Sequence, residues 1–327
     1  MKSPLRRSIT LAALSAGALA ALPIAHAQTD WPARPVTFLE PYGPGTTLDA
    51  ITRVLAERLG TQWKVPVIVD HKPGANGVIG TDYVARAAAD GYTVLFTGPG
   101  HYTNEVLMGK VPYDVGRDFK PVARLASVML VLVVPTNSPF HSVKELVDHA
   151  KKNPGKLTYS SGGSGSSQHL AAASFQQVAG IELMHVPYKT QSAAVIDIIS
   201  GEVNFGFAAL TTAAAQLKGG KLRALAVTGP RRSQALPDLP TVAELGYPGW
   251  EYFSFNAVFV PTATPDEVVR RISDGLSAQM RSPAMADLAR AQGFENDFAD
   301  VRAWSAAQAS ERKKWQDLIR VSGAKLE

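Results

Sequence analysis

Cysteine is absent from all 327 residues of the chain. The protein therefore has no disulfide, no thiolate metal site and no cysteine nucleophile, and it offers no cysteine for lipid attachment. Charged residues make up only 19% of the chain, whereas hydrophobic residues make up 46%, a balance that argues against disorder and indicates a sizeable core. The length is sufficient for two domains.

Long apolar runs are scarce, and the one of note lies at the N-terminus. Lys2, Arg6 and Arg7 precede an uncharged run that ends at Ala25-His26-Ala27, a small-x-small cleavage pattern. We predict a signal peptide at residues 1–27 and a mature protein that is periplasmic, soluble and not lipid-anchored. Residues 1–27 hold three of the 33 basic residues and none of the 28 acidic ones, so the remainder has a net charge of +2. With no basic stripe, this balance predicts no nucleic-acid partner.

Motifs of common enzyme classes are also missing. The chain has no G-x-x-x-x-G-K-[ST] phosphate loop and no H-E-x-x-H, and its seven histidines show no metal-ligand spacing. These observations predict no cofactor, no metal and no enzymatic activity. Residues 162–166 nearly match the nucleophile elbow G-x-S-x-G, but the last position is Ser. A serine hydrolase that uses Ser164, with His185 as a possible base, is the alternative.

Short β-branched runs alternate with helical patterns along most of the chain, which predicts an α/β fold with parallel sheets covered on both faces. A helix is expected from Thr46 to Leu59, with a Thr46-x-x-Asp49 capping box and a stop at Gly60. A second capping box, Ser142-x-x-Glu145, predicts a helix to residue 152. The tail from residue 265 onward is mainly helical.

Two glycine- and hydroxyl-rich loops, each between a predicted strand and a predicted helix, are the best candidates for a binding site. Loop A is Pro41–Asp49 and loop B is Ser160–His169. In open α/β sheets such loops lie at the carboxyl ends of strands, where ligands bind. Unpaired N–H groups at the helix N-termini favour an anion, so two such loops facing each other would hold a carboxylate without arginine. Ordinary tight turns with N-caps are the alternative interpretation.

Motifs along nearly the whole mature chain resemble those of the Bug-type (TctC-like) periplasmic solute-binding receptors of tripartite tricarboxylate transporters. The matching stretches are Trp31-Pro32-Ala33-Arg34-Pro35, Pro44-Gly45-x-x-x-Asp49, Lys72–Gly80, Ala89–Thr93, Asp118–Val122, Asn153–Leu157, Gly163-x-Gly165-x-x-x-His169-Leu170, His185–Lys189, Gly201-Glu202-Val203, Gly220–Thr228 and Leu236–Thr241.

The resemblance implies a two-lobed periplasmic-binding-protein (flytrap) fold in which each lobe has a mostly parallel sheet flanked by helices. We expect residues 28–127 and 253–327 to form lobe 1 and residues 128–252 to form lobe 2. The resemblance also implies that a monomer captures a small carboxylate between the lobes and delivers it to a membrane permease. A ligand-sensing receptor of a signalling system is a further alternative.

In this family two loops hold one carboxylate, and they correspond here to residues 42–49 and 161–169. The predicted ligand-binding residues are Tyr42, Gly45, Thr46, Thr47, Ala75, Ser161, Gly163, Ser164, Ser166, His169, Lys189, Asp197 and Phe207. Tyr42, Phe207 and Phe255 would form an aromatic slot suited to an aromatic dicarboxylate such as terephthalate, with core packing the alternative for the two phenylalanines. Lys189 and Asp197 are candidates for the distal end of the ligand, with a salt bridge or solvated charge the alternative.

Overall fold

The computed structural model describes residues 31–322, so the predicted signal peptide lies outside the described residues. The strands are β1 Val36–Glu40, β2 Val67–His71, β3 Thr93–Thr97, β4 Phe119–Pro135, β5 Thr158–Ser161, β6 Met184–Pro187, β7 Phe205–Ala209, β8 Leu222–Val227, β9 Phe253–Pro261 and β10 Phe294–Glu295. The helices are α1 Thr47–Trp63, α2 Val78–Ala85, α3 Gly100–Leu107, α4 Val115–Asp118, α5 Val143–Lys152, α6 Ser167–Ala179, α7 Gln191–Ser200, α8 Leu210–Lys218, α9 Asp266–Met280, α10 Pro283–Gln292 and α11 Val301–Ser322.

The strands form one long path in the order β2-β1-β3-β9-β4-β7-β5-β6, with β8 and β10 also paired to β4. At one end β1 is parallel to β2 and β3, and at the other β5 is parallel to β6 and β7. The central strands β4 and β9 are antiparallel to each other and to their neighbours. The sheet is thus parallel towards its two ends, in keeping with the mostly parallel sheets that were predicted, and antiparallel at its centre.

The 17-residue strand β4 joins the two parallel parts. Its first part pairs with β9, from Phe119 opposite Pro261 to Met129 opposite Phe253. Its last part pairs with β7 and β8, for example Leu132 opposite Phe207. We call the part built on β1–β3 the first half and the part built on β5–β7 the second half. The predicted lobe boundaries at residues 127/128 and 252/253 stay predictions.

Local sequence signals account for most helix ends. Ser142 caps α5 by accepting from Glu145 N, and Gly180 ends α6 in a left-handed conformation with φ of 61°. The expected stop at Gly60 is wrong, because α1 continues to Trp63, with Lys64 as its C-cap. A single glycine is tolerated inside a helix at a modest cost, and here the packing of α1 against the sheet outweighs it.

The C-terminal helix α11 packs on β4 and also contacts α3 of the first half and α6 of the second. Its buried Trp304 and Trp315 pack against Phe255 of β9, with ring centroids 5.5 and 5.8 Å apart. Glu105 of α3 accepts from Arg312 at 2.6 Å. These contacts support the central strands from behind. Among the helices of residues 31–322, none combines the length and the apolarity that a membrane span requires.

Candidate functional site

A cavity of about 440 Å³ lies where the two parallel parts of the sheet face each other. Its walls are the loops that follow β1, β2 and β3 on one side and β5, β6 and β7 on the other, and β4 and β9 contribute to its base. These are the carboxyl ends of parallel strands, the position at which open α/β sheets bind ligands. Loops A and B, which were singled out from the sequence, both border the cavity.

Loop A is held by the predicted capping box. Thr46 has an extended conformation and its hydroxyl accepts from Asp49 N at 3.1 Å. One Asp49 carboxylate oxygen accepts in return from Gly45 N at 2.9 Å. Gly45 has φ of 85°, which only glycine adopts without strain. The loop therefore has a fixed backbone, and Gly45, Thr46 and Thr47 line the cavity.

A buried charged cluster supports loop A from behind. The other Asp49 oxygen lies 2.8 Å from Arg53 Nε and 3.0 Å from His71 Nε2. Burial alone would raise the pKa of Asp49, but the Gly45 N–H and the Arg53 guanidinium together hold it below its usual value. Burial raises the pKa of the neighbouring Glu40 to about 8. Glu40, Asp49 and His71 stand close enough together to share a metal ion.

Loop C, Pro73–Gly77, is the third element of the first half at the cavity. Four consecutive residues, Gly74 to Gly77, have positive φ, including Ala75 at 47° and Asn76 at 51°. Such conformations are unfavourable for side-chain-bearing residues and persist only where the surroundings impose them. Here Asn76 Nδ2 donates to Asn104 Oδ1 at 2.8 Å, and Asn104 Nδ2 donates back to Asn76 O at 3.0 Å. This pair holds Ala75 at the cavity wall.

Loop B is held by hydroxyl groups and imidazole rings. Ser166 caps α6 by accepting from His169 N at 3.4 Å, and Gly165 N donates to His169 Nδ1 at 2.9 Å. The His169 ring stacks on that of His185 with centroids 4.0 Å apart, and His185 Nε2 lies 2.7 Å from Ser161 Oγ. Burial lowers the pKa of His169 to about 4, and His185 acts in the same direction. At neutral pH the His169 ring is therefore uncharged.

The electrostatic character of the cavity comes from helix ends. Thr46, Ser166 and Thr190 are the N-cap residues of α1, α6 and α7, and all three line the cavity. The N-termini of α3 and α8 also reach it, through Gly100 and Ala209. Helix N-termini carry a partial positive charge and unpaired N–H groups. Among the described residues, the exposed Lys189 is the only charged side chain in the lining. The cavity suits an anion.

The structure separates the predicted site residues into two groups. Seven line the cavity: Tyr42, Gly45, Thr46, Thr47, Ala75, Ser166 and Lys189. Six do not: Ser161, Gly163, Ser164, His169, Asp197 and Phe207.

Each of the second group has an evident reason for its place. Ser161 and His169, at the two ends of loop B, are buried and make the hydrogen bonds described above, and Gly163 and Ser164 lie in its half-buried middle part. Asp197 accepts from Tyr188 Oη at 2.5 Å. Phe207 is only 1% exposed and packs against Phe175 and Trp250.

Of the three predicted slot aromatics, Tyr42 and Phe255 line the cavity and Phe207 does not. The Tyr42 hydroxyl lies 3.4 Å from Thr97 Oγ1, and burial raises the pKa of that phenol. Phe255 is 2% exposed, with its ring also against Tyr102. An aromatic pair thus borders the cavity on the first-half side.

Several lining residues were missed from the sequence. Gly98, Pro99 and Gly100 form a loop between β3 and α3 that has the same strand–glycine–helix pattern as loops A and B, and that pattern was available. Gln168 and Asn256 are 4% and 7% exposed, and neither Gln168 Oε1 nor Asn256 Nδ2 has a hydrogen-bond partner within residues 31–322. No local motif marks these two, since their importance comes from tertiary placement.

The serine hydrolase alternative gains no geometric support. The serine of loop B that contacts His185 is Ser161, whose Oγ lies 2.7 Å from His185 Nε2. Ser161 is fully buried and also lies 3.0 Å from Gly163 O, and it does not line the cavity. Ser164, the nucleophile of that alternative, has a different position in the loop from Ser161.

Comparison with known proteins gives a consistent result. A relative from Pseudomonas sp. (strain P51), the UPF0065 protein in the tcbD-tcbE intergenic region, is 36% identical over 290 residues, which are 88% of this chain and 86% of the relative. The solved structure of R. palustris Rpa4515 with adipate is 33% identical, has a TM-score of 0.85, and the match covers 91% of this chain and all of that one.

The solved structure of the periplasmic binding protein BugD is 31% identical, with a TM-score of 0.81 and coverage of 90% of this chain and all of that one. These likenesses confirm the predicted α/β fold of the two-lobed periplasmic-binding-protein type. The model of the TctC family, described as the tripartite tricarboxylate transporter family receptor, matches residues 51–324. This chain therefore belongs to the TctC family of tripartite tricarboxylate transporter receptors, as its Bug-like motifs indicated.

Proposed function

We propose that this protein is an extracytoplasmic receptor that captures a small dicarboxylate in its cavity and delivers it to the membrane permease of a tripartite transporter. The observation that carries the proposal is the lining of the cavity. Helix N-termini converge there, and none of the described residues that line it is acidic. Hydrogen bonds to a charged group contribute about 1.5–3 kcal/mol each, so a few such bonds support micromolar binding after association costs. The adipate named with Rpa4515 is in keeping with a dicarboxylate.

The shape and lining of the cavity support a ligand with a flat middle section. Tyr42 and Phe255 border a space of about 440 Å³, which is within the range of small-molecule sites. One carboxylate would lie between loops A and B, and the other would approach Lys189 and the N-terminus of α7. An aromatic dicarboxylate such as terephthalate has both the flat middle section and the two carboxylates. Asp197 and Phe207 have no part in this arrangement, because neither lines the cavity.

A thermal-shift panel tests the ligand class. The mature protein is heated with terephthalate, adipate, succinate, benzoate or a neutral sugar at equal concentrations. A ligand at 100 times its dissociation constant stabilises by about 2.7 kcal/mol. We expect the largest shift with terephthalate and a smaller one with benzoate, which lacks the second carboxylate. A shift with the sugar alone, or none with any carboxylate, would contradict the proposal.

Binding without turnover, export and delivery are further parts of the proposal. The ligand recovered after incubation should be chemically unchanged; a product whose formation Ser164→Ala abolishes would support a hydrolase instead.

Mass spectrometry of the exported protein should give a chain that begins at Gln28, without a lipid mass. Deleting the gene should abolish uptake of the labelled ligand, and an intact uptake with a lost transcriptional or chemotactic response would support a sensing receptor.

A further inference from the structure

Two carboxyl groups and one imidazole meet behind loop A. Glu40 is the last residue of β1, His71 is the last residue of β2, and the two are register partners in the parallel pair of strands. Asp49, in the first turn of α1, completes the group. His71 Nε2 lies 3.0 Å from Asp49 Oδ1 and 3.9 Å from Glu40 Oε2. One donor atom from each residue fits within 4.8 Å of the others.

The buried carboxyl of Glu40 is the unexplained member of this group. Its side chain has no solvent exposure. Thr52 is the neighbouring hydroxyl, but it donates to Leu48 O at 2.9 Å, and neither Glu40 oxygen has a partner at hydrogen-bond distance and angle within the described residues 31–322. Buried polar groups are nearly always paired with a donor, a counter-charge or a metal. Asp49, by contrast, has Gly45 N, Arg53 and His71 as partners. An acceptor that is buried and aimed at a second carboxylate and an imidazole is what a cation site requires.

We propose that Glu40, Asp49 and His71 bind one divalent first-row metal ion, with Zn²⁺ as the expected occupant. Zinc bonds to carboxylate oxygen and imidazole nitrogen are about 2.0–2.2 Å long. Tetrahedral ligands at that distance are about 3.3 Å apart, close to the 3.0 and 3.9 Å found here. A water molecule would take the fourth position. Two carboxylates offset the charge of the ion, and the imidazole disfavours Ca²⁺ and Mg²⁺, which prefer oxygen ligands.

Arg53 is the group that the ion would displace. Its Nε shares Asp49 Oδ1 with His71, at 2.8 Å, but its side chain is 57% exposed and is free to turn into solvent. The His71 side chain is 16% exposed, which gives an ion a route to the cluster. The remaining Asp49 oxygen would keep the Gly45 N–H, so the ion would be tied directly to the loop that lines the cavity.

The test uses the tag-free mature protein, stripped with EDTA and dialysed, and ZnCl₂ alone as the probe. Calorimetry should show one saturable zinc site, and zinc should raise the unfolding temperature, whereas CaCl₂ at the same concentration should not. Glu40→Gln keeps the side-chain shape, and His71→Gln keeps a polar group. Each should weaken zinc binding by at least about tenfold. His141→Gln, at an exposed histidine, is the matched control and should bind zinc like the parent protein.

Circular dichroism and unfolding without metal show whether each variant is folded, and having two variants keeps the test valid if one is not. The proposal is overturned if the parent protein shows no saturable zinc binding. It is equally overturned if folded Glu40→Gln and His71→Gln bind zinc as tightly as the parent, or if calcium binds as tightly as zinc. Ligand binding plays no part in these measurements, so their outcome is independent of the function proposed above.

Discussion

Loops A and B have the same plan but different supports. Each follows a parallel strand, contains a glycine with positive φ and begins a helix with a hydroxyl N-cap, Thr46 or Ser166. Behind loop A lies a charged cluster around Asp49, and behind loop B lie two stacked imidazoles. The difference teaches that two unrelated kinds of chemistry can hold the N–H groups of a helix N-terminus in a fixed position. It also means that salt, acid and mutation should affect the two loops unequally.

The largest effect is expected from Gly80→Ala, which acts on the support of loop A. An added Cβ would lie 2.8 Å from Lys72 O and 2.8 Å from the Pro41 Cα, both of them backbone atoms that cannot turn aside. Helix α2 must then move away from the start of loop A. We expect a loss of about 2–3 kcal/mol in the free energy of unfolding and a weaker affinity for ligand.

Gly60→Ala is the control for this change, since Gly60 is also helical and its added Cβ would meet Val65 O at an ordinary 3.4 Å. It should be neutral or stabilise by up to about 1 kcal/mol. Denaturant unfolding of both variants measures the difference. Equal stabilities for the two would show that α2 does not support loop A in this way.

Asp49→Asn should be the next most damaging change, and it should affect loop A alone. The amide loses the charge that Arg53 and His71 face, and it accepts less strongly from Gly45 N. We expect a loss of about 2 kcal/mol in the free energy of unfolding, because hydrogen bonds to a charged group contribute more than neutral ones.

Asp197→Asn is the matched control in the second half, where the carboxylate has the Tyr188 hydroxyl as donor. It should cost less than about 1 kcal/mol. If it destabilises as much as Asp49→Asn, the charged support of loop A has no special role.

Acid should act through loop B. The pKa of His169 is lowered to about 4 in the folded protein, whereas an unfolded histidine titrates near 6.5. At this residue the unfolded chain therefore binds more protons between these values, so the contribution of His169 to the free energy of unfolding should fall by about 2–3 kcal/mol as the pH falls from about 6.5 to about 4. The buried His101, with a pKa lowered to about 3 mainly by burial, acts with the same sign. The raised pKa of Glu40 acts with the opposite sign in this range, so the contribution of His169 is read from the difference between the parent protein and a His169 variant.

His169→Gln should flatten part of this pH dependence, and the exposed His141→Gln should leave it unchanged. Chemical denaturation at half-unit steps from pH 4 to pH 7.5 gives the profile. A steeper decline in His169→Gln than in the parent would contradict the assignment.

The smallest expected effects are those of the two N-caps. Thr46→Ala and Ser166→Ala each remove one side-chain acceptor from a helix N-terminus, so each should cost about 1 kcal/mol and weaken ligand binding moderately. Thr61→Ala, which removes an exposed hydroxyl that donates to Glu57 O, is the control and should be close to neutral. If only one cap variant loses affinity, the two loops do not share the ligand.

Much of the first-half site follows from local sequence. Three features could be predicted because they depend on neighbours within a few residues. They are the capping box of loop A, the turn residues of loop C, and the positions of loops A and B in the chain. Phe207 could not be placed, because period-two alternation shows which residues of a strand share a face but not which face meets the cavity. The length of β4 could not be predicted, because bulges near Pro121 and Arg124 interrupt its alternation.

The two chain crossings between the halves lie side by side. Strand β4 carries the chain one way and β9 carries it back, and they are paired where they cross, with Val128 opposite Ser254. Any change in the angle between the halves must therefore bend this pair of strands, and it must also shift α11, which contacts α3 of the first half and α6 of the second. Because β4 and β9 also contribute to the base of the cavity, such a bend would reach the binding site directly.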